Sequence, residues 1–246
     1  MNAESGIEAV LFDLDGTLFD HGAAAAGAAA ASLPEADPGH VARRWIELEE
    51  LVYLRYLAGE LSFAEQRRTR ITMLAAELGL GDWDAPRADA WLAGYLERYE
   101  ERWTLFADAA ACLDALAALP GPPVLGIITN GNGPQQRAKI AGIGLTGRFP
   151  HLVISEEAGA AKPAPEIFHL ACRTAGTAPA RTAYVGDRLA TDALGARAAG
   201  LHGIWLDRPG PAAPGMPRPD SGQTEEGGDH EVPRITTLAD LPPLLT

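Results

Sequence analysis

The chain has 246 residues, of which 47 % are hydrophobic and 22 % are charged. This composition excludes a wholly disordered chain, and the length suits a core domain that carries an insert. The net charge of −13, from 33 acidic and 20 basic residues, argues against a nucleic-acid partner. No apolar run reaches the ~20 residues of a membrane span. The first six residues lack a basic leader, so we expect a cytoplasmic protein without a membrane partner.

The first predicted element is a short apolar strand at Ala9–Phe12, which a polar loop follows directly. From about Ala107, predicted strands and helices alternate. The predicted strands lie at 124–128, 152–154, 183–185 and 203–206, and the helices at 108–119, 134–143, 165–175 and 189–199. Such alternation requires crossover helices between parallel strands. We therefore predict an α/β fold with a doubly wound, mainly parallel sheet.

Residues 20–104 interrupt this alternation. Helical patterns near 41–58, 63–78 and 85–101 are separated by glycine-containing breaks, and the strand potential is poor. We predict an inserted helical domain at 20–104 and a core domain formed by 1–19 together with 105–246. The stretch 208–233 is rich in proline, glycine and acidic residues, which predicts a mobile loop.

Two carboxylates follow the first predicted strand in the string Phe12-Asp13-Leu14-Asp15-Gly16-Thr17-Leu18. Doubly wound sheets bind ligands at the carboxyl ends of their strands, and paired carboxylates there attract a divalent cation. Glycine permits the sharp turn that such a loop needs. An isolated Asp-x-Asp is as well explained by an ordinary acidic turn, but the apolar strand and the complete string favour a site.

Three further motifs follow in chain order. Thr129-Asn130-Gly131 ends the second strand of the alternating region, where a common turn is the competing explanation. Lys162 precedes a predicted helix and is one of only two lysines in the chain. The string Gly186-Asp187 is followed by Asp192, five residues beyond Asp187, and a helix N-cap is the competing explanation for this pair.

The four motifs, in this order, resemble those of the haloacid dehalogenase (HAD)-like hydrolase superfamily. The resemblance covers roughly residues 7–18 and 105–206. The stretches 154–173 and 184–206 look most like its pyrimidine 5′-nucleotidase and N-acylneuraminate-9-phosphatase branch, and the insert resembles a helical cap by position. The resemblance implies a Rossmann-like core and a phosphatase that hydrolyses small phosphate monoesters, such as nucleotides or sugar phosphates, through an aspartyl-phosphate. It also implies Mg²⁺ as the cofactor.

The resemblance assigns a role to each motif residue. Asp13 becomes the nucleophile and a metal ligand, and Asp15 the general acid and base, whose main-chain carbonyl also binds the metal. Asp187 completes the metal site. We expect Asp192 to orient Lys162 or a metal-bound water.

The resemblance also assigns residues to the phosphoryl group of the substrate. Thr129, Asn130 and Lys162 would bind this group, through a hydroxyl, backbone amides and an ammonium respectively. Lys162 also takes part in catalysis, because its charge offsets the charges of the nucleophile and the phosphate.

Residue chemistry narrows the subclass. Family dehalogenases lack the second carboxylate, since a halide leaves without a proton, so Asp15 favours phosphate chemistry. Family phosphonatases use a cap lysine, and residues 20–104 contain none. A phosphomutase on the same core and a catalytically idle binding module remain as alternatives. We expect a monomer or a homodimer.

Three groups of side chains in the insert attract attention, and we expect none of them to take part in the chemistry. Trp45 and the other scattered aromatics predict a hydrophobic core. The cluster Arg67, Arg68 and Arg70 could reach an anionic substrate, but a solvated helix face is the plainer expectation. His21 lies just past the first motif and could face the cleft, but a surface position is the plainer expectation.

Overall fold

The computed structural model describes residues 6–208 and 232–245. The chain divides into two compact units. One is an α/β unit, formed by the described residues up to Phe19 and from Leu105 onward, and the other is a helical unit, Asp20–Thr104. Of the loop predicted at 208–233, residues 209–231 lie outside the described residues.

The α/β unit is built on a six-stranded sheet in the order β3-β2-β1-β4-β5-β6, and all neighbouring strands are parallel. In chain order the strands are β1 (Ala9–Phe12), β2 (Val124–Thr129), β3 (His151–Ile154), β4 (Thr182–Gly186), β5 (His202–Leu206) and β6 (Arg234–Ile235). The predicted doubly wound parallel sheet is confirmed. The short strand β6 adds an edge that the sequence pattern did not predict.

Strand β1 lies at the centre of the sheet, and all four of its residues are buried. A strand buried on both faces must be apolar throughout, which explains the continuous run Ala-Val-Leu-Phe. Phe12 lies opposite Ile127 of β2 and Val185 of β4. The carboxyl ends of the three strands therefore meet at one edge of the sheet, where every predicted motif except Lys162 follows a strand.

Helices connect and flank the strands of this unit. They are α5 (Ala107–Ala117), α6 (Gly133–Gly142), α7 (Ser155–Ala158), α8 (Pro165–Ala175), α9 (Gly195–Ala198) and α10 (Leu241–Leu244), numbered after the four helices of the other unit. Helix α8 has the predicted bounds. The single helix predicted at 189–199 is wrong in detail, because Leu189–Leu194 forms a wide π-helical turn before α9. That turn contains the fully buried Asp192, and such widened turns occur frequently at functional sites.

The helical unit contains α1 (His21–Ser32), α2 (Pro38–Leu57), α3 (Phe63–Glu77) and α4 (Ala85–Glu100). A side-chain cap begins each helix, and α3 carries a complete capping box between Ser62 and Glu65. The sequence pattern missed α1, because its run of alanines has no apolar periodicity. Asp20 begins that helix by accepting a hydrogen bond from the Ala23 amide at 3.0 Å.

The core of the helical unit is aromatic, as expected. Trp45 is fully buried and donates from its indole nitrogen to the Tyr95 hydroxyl at 3.1 Å. The expectation of a solvated basic face is wrong for Arg70, which is 4 % exposed. Its guanidinium lies 4.0 Å from the centre of the Trp45 ring and 3.0 Å from a carboxylate oxygen of Glu49, so stacking and charge pairing offset its burial.

The remaining residues of the helical unit's basic cluster keep more contact with solvent. Arg68 forms a partly exposed ion pair with Asp89, as a solvated face predicts. His21 is half-buried rather than at the surface, because its ring nitrogens bond the Tyr99 hydroxyl and Glu49. Within the described residues, no helix is long and apolar enough to cross a membrane.

Candidate active site

The site lies at the carboxyl edge of the sheet. Asp13 follows β1, Thr129 ends β2 and Asp187 follows β4. The Asp13 amide donates to the Val185 carbonyl at 2.8 Å, which ties the start of the first loop to β4. Lys162, in the loop before α8, completes the group. The parallel register thus brings together four motifs that are far apart in sequence.

Lys162 is buried at the centre of this group, with 4 % exposure. Its ammonium donates to Asp13 Oδ1 at 2.6 Å, to Asp192 Oδ1 at 2.6 Å and to the Tyr184 hydroxyl at 2.7 Å. Burial alone lowers the pKa of Lys162, but the charges of Asp13 and Asp192 outweigh it and raise that pKa well above its usual range. Lys162 is therefore a fixed positive charge.

Asp13 is also buried, and its two oxygens differ. Oδ1 accepts from Lys162, whereas Oδ2 is buried and has no hydrogen-bond partner among the described residues. Burial raises the pKa of Asp13 to about 6, although the Lys162 ammonium opposes that shift. A buried carboxylate oxygen without a donor is costly, and it indicates that a ligand or cation belongs there.

Carboxylate oxygens of Asp13, Asp187 and Asp192 lie within 4.8 Å of one another. Burial, and then the charges of Asp13 and Asp192, raise the pKa of Asp187 well above its usual range. A hard divalent cation relieves such repulsion, and carboxylate oxygens are the ligands that Mg²⁺ prefers. The residues at this edge therefore fit a magnesium ion.

The members of this acidic cluster are not equivalent. Both oxygens of Asp192 already have protein donors, Lys162 on Oδ1 and the Arg188 amide on Oδ2 at 3.0 Å. Asp13 Oδ2 has no such donor among the described residues, and the Thr17 hydroxyl donates to Asp187 Oδ1 over a long 3.5 Å. This distribution favours Asp13 and Asp187 as ligands, and it favours Asp192 as the residue that positions Lys162.

The loop between β1 and α1 is shaped around Asp187. Gly16 has a φ of +88°, and a Cβ atom at this position would lie only 2.3 Å from Asp187 Oδ2. The next residue, Thr17, accepts a hydrogen bond from the Asp187 amide at 3.1 Å. Glycine is thus required here both by its left-handed backbone and by the close approach of the carboxylate.

Asp15 lies outside the acidic cluster. Its Oδ1 accepts from the Lys139 ammonium at 2.6 Å, and its Oδ2 accepts from the Gln136 amide at 2.8 Å. The same Gln136 nitrogen lies 2.5 Å from the Thr129 hydroxyl. Helix α6 thus connects the second carboxylate of the first motif with the hydroxyl of the second.

The Asn130 side chain is bonded to the main chain of Lys162. Its amide nitrogen donates to the Lys162 carbonyl at 3.0 Å, and its oxygen accepts from the Lys162 amide at 2.8 Å. The neighbouring Gly131 amide donates to the Ser155 hydroxyl at 3.0 Å. The side chain of Asn130 therefore fixes the loop that carries Lys162, and any contact with a phosphoryl group falls to the Asn130 backbone.

Residues 7–200 match the haloacid dehalogenase-like hydrolase family. The chain belongs to this family. The matched range contains every motif residue from Asp13 to Asp192, so the resemblance inferred from the motifs is confirmed.

Several curated relatives of this HAD chain carry phosphatase names. It is 36 % identical to phosphoserine phosphatase of Thermus thermophilus over 65 % of this chain and 64 % of that protein. It is 31 % identical to ribulose-1,5-bisphosphate 5-phosphatase of Halopiger xanaduensis over 95 % of this chain and 98 % of that protein. Pyrimidine 5′-nucleotidase YjjG of Escherichia coli is 43 % identical over 37 % of this chain and 41 % of that protein. The chain thus spans less than two thirds of several curated relatives that it matches.

Solved structures of the HAD family share the fold. The HAD-hydrolase YfnB of Bacillus subtilis, whose structure is described as bound to magnesium, superposes with a TM-score of 0.75 at 23 % identity. The match covers 98 % of this chain and 99 % of that chain. At this identity the likeness establishes the architecture of the core and the presence of a second unit, and nothing about chemistry.

Sequence reasoning missed three residues of this HAD site: Gln136, Lys139 and Tyr184. Gln136 and Lys139 project from the interior of α6 rather than from a strand end, and Tyr184 lies within β4. The rarity of lysine was the available signal for Lys139, because both lysines of the chain are buried at the site.

Proposed function

We propose that this protein is a Mg²⁺-dependent phosphatase that hydrolyses small phosphate monoesters through an aspartyl-phosphate on Asp13. The observation that carries the proposal is the buried Asp13, paired with Lys162 beside Asp187, while Asp15 lies two residues away on the same loop. The phosphatase names of curated relatives support the same reaction class.

In the first half-reaction, a carboxylate oxygen of Asp13 attacks phosphorus and the bond between phosphorus and the ester oxygen breaks. The departing alkoxide takes a proton from the carboxylic acid form of Asp15. The alcohol leaves, the phosphoryl group is bonded to Asp13, and Asp15 is left as a carboxylate.

In the second half-reaction, the Asp15 carboxylate removes a proton from water as the water oxygen attacks phosphorus. The bond between phosphorus and Asp13 breaks, inorganic phosphate is released, and both carboxyl groups return to their starting forms. One residue can serve both steps because each transfer leaves it in the form that the next one needs.

Charge stabilisation comes from residues around the phosphoryl group. The Lys162 ammonium and the Thr129 hydroxyl would donate to its equatorial oxygens, where transition-state charge collects. Asp13, Asp187 and the main-chain carbonyl of Asp15 would hold Mg²⁺, which neutralises charge on the phosphoryl oxygens when it is bound. Asp192 and Asn130 would keep Lys162 in place.

Substrate choice belongs to the same proposal. We favour nucleotide or sugar phosphates, with the helical unit acting as the cap that selects the leaving group, in a cytoplasmic monomer or homodimer. A phosphomutase would use the same core residues and differ in excluding water. A catalytically idle binding module would keep the fold without turnover.

The deciding experiment measures inorganic phosphate released from p-nitrophenyl phosphate and from a panel of phosphorylated metabolites. We expect release with Mg²⁺, and loss of release with EDTA that added Mg²⁺ restores. Asp13→Asn is the matched control for contaminating phosphatase. Intramolecular phosphoryl transfer without release would identify a mutase, and binding without either reaction would identify a binding module.

Asp15→Asn should separate substrates by their leaving groups. An alkyl phosphate needs a proton on its departing oxygen, whereas p-nitrophenolate leaves without one. We expect phosphorylation of Asp13 in a single turnover to slow by ~10² to 10⁴-fold for the alkyl ester and by much less for the aryl ester. Rapid-quench kinetics measures both, and equal slowing of the two would remove Asp15 from the acid role.

Mg²⁺ binding should weaken in acid. Because burial raises the pKa of Asp13 to about 6, lowering the pH through that value puts a proton on a proposed ligand. We expect the apparent Kd for Mg²⁺ to rise as the pH falls through 6, by roughly tenfold per pH unit for each proton displaced. Calorimetric titration with Mg²⁺ at several pH values tests this, and a pH-independent Kd contradicts it.

A further inference from the structure

Helix α6 presents two buried polar side chains to Asp15. Gln136 and Lys139 lie about one helical turn apart, at positions i and i+3. Gln136 is 1 % exposed and Lys139 is 4 % exposed. Lys139 holds Asp15 Oδ1 at 2.6 Å and Gln136 holds Oδ2 at 2.8 Å. Each oxygen of this carboxylate therefore has its own donor from the same helix.

We propose that Lys139 and Gln136 are positioning residues that hold the Asp15 carboxylate in the orientation needed for proton transfer. This inference rests on the proposed phosphatase function and adds to it two residues outside the four sequence motifs. They act through Asp15, and they are not expected to contact the substrate.

The burial of Lys139 supports this role. An ammonium is almost never buried unless it is paired, because desolvation is costly. Lys139 lies 5.4 Å from the centre of the Phe19 ring, and its ionic partner, Asp15, is 26 % exposed. The buried Lys139 ammonium thus holds the Asp15 carboxylate from the protein interior, and the carboxylate faces solvent. Proton transfer to a bound substrate requires this outward orientation.

Gln136 adds a second constraint. Its amide nitrogen lies within hydrogen-bond distance of both Asp15 Oδ2 and the Thr129 hydroxyl oxygen. Since the Thr129 hydroxyl accepts from Gln136, its own hydrogen remains for another acceptor, which under the proposed function is a phosphoryl oxygen. The residue that delivers protons and the residue that binds phosphate are thereby held at a fixed separation by one side chain.

Two donors still leave the carboxylate able to react. A carboxylate offers about four lone-pair directions, of which Lys139 and Gln136 each occupy one. Under the proposed mechanism, one further direction carries the proton that the acid form gives to the leaving oxygen, and the carboxylate then accepts a proton from water. Fixing the carboxylate plane matters because general acid-base catalysis depends on hydrogen-bond geometry at the moment of transfer.

The test compares Lys139→Met and Gln136→Met with the wild-type protein on an alkyl phosphate and on p-nitrophenyl phosphate. Both changes replace a polar head by an uncharged chain of similar length. We expect kcat for the alkyl ester to fall by ~10 to 100-fold, the aryl ester to lose less, and both KM and the Mg²⁺ requirement to stay unchanged. Lys139→Arg should recover part of the loss.

A matched control comes from the same helix. Arg137 is exposed on α6 and pairs with Glu157 at 2.7 Å, so Arg137→Met removes a surface ion pair without reaching Asp15. Its kinetics should equal those of the wild type. If Lys139→Met does not fold, Gln136→Met still tests the inference, because it removes one donor to Asp15 and keeps the ion pair between Lys139 and Asp15.

A double-mutant cycle decides between positioning and general stability. In the Asp15→Asn background, Lys139→Met should cause little further loss, because the group that it positions is already gone. An equal further loss, or a loss carried by KM or by Tm, would overturn the inference while the phosphatase function stands. Absence of phosphate release by the wild-type protein would instead remove the proposed function itself, and this inference with it.

Discussion

Asp13→Asn should abolish turnover and leave the fold intact. An amide oxygen cannot form the acyl phosphate, and the change also removes one proposed Mg²⁺ ligand. We expect kcat to fall by more than ~10³-fold, to the level of contamination, because removing a nucleophile leaves only the catalysis that binding provides. Phosphate release from p-nitrophenyl phosphate measures this.

The same variant tests the covalent intermediate directly. Brief reaction with ³²P-labelled substrate followed by acid quench should label the wild-type protein and not Asp13→Asn. The circular dichroism spectrum and Tm of the variant serve as its control, since a folded but unlabelled protein is the expected result. Retention of more than a few per cent of activity would contradict a nucleophilic Asp13.

The fold was largely predictable because its signals are local. The continuous apolar run at Ala9–Phe12 predicts a buried parallel strand, and the later alternation predicts crossover helices. Helix α1 escaped prediction because alanine carries little hydrophobic contrast. Strand β6 has two residues, too few for any periodicity to show.

The proposed site was predictable where its residues belong to the four motifs, including Lys162 and Asp192, which do not directly follow a strand. Asp13, Thr129 and Asp187 occupy strand ends, so parallel topology brings them together. Lys139 and Gln136 lie on a helix whose pattern resembles any partly exposed helix, and their burial is decided by packing against the sheet. Contacts of this kind depend on tertiary distance, which spacing along one chain does not encode.

The charges at the site are the reason why we propose a bound cation there. The group comprises three carboxylates, the buried Asp13 and Asp192 and the partly exposed Asp187, and one buried ammonium, Lys162. With all of them ionised, the single positive charge is outnumbered. Burial and mutual repulsion raise the pKa values of Asp13 and Asp187. Without a cation, only protons could offset the charges of these two carboxylates. A divalent cation would supply the missing charge and would keep Asp13 ionised, as the proposed mechanism needs.

Lys162→Met should damage both activity and stability. The loss of one preorganised donor to transition-state charge costs about 10²–10³-fold in kcat. Asp13 and Asp192 are then left buried without their cation, and breaking such a pair costs about 3–5 kcal/mol of unfolding free energy. Phosphate release and denaturant unfolding, each with Mg²⁺ absent and present, measure the two effects separately.

The stability loss of Lys162→Met should depend on pH, and its sign follows from the pKa of Asp13. That pKa is raised to about 6 even beside Lys162, and removing the ammonium raises it further. A raised pKa in the folded state stabilises the fold at low pH, and this contribution is lost as the pH rises through the folded value. The deficit relative to wild type should therefore be small near pH 5 and large near pH 8.

Arg148→Met provides the matched comparison for this pH dependence. Arg148 pairs with Asp114 at 2.7 Å on the exposed surface of the same unit, where solvent screens both charges. Its removal should leave activity and Tm close to wild type at either pH. A Lys162→Met deficit that is equally large at pH 5 and pH 8 would mean that lost packing, and not the unpaired carboxylates, determines the role of Lys162 in stability.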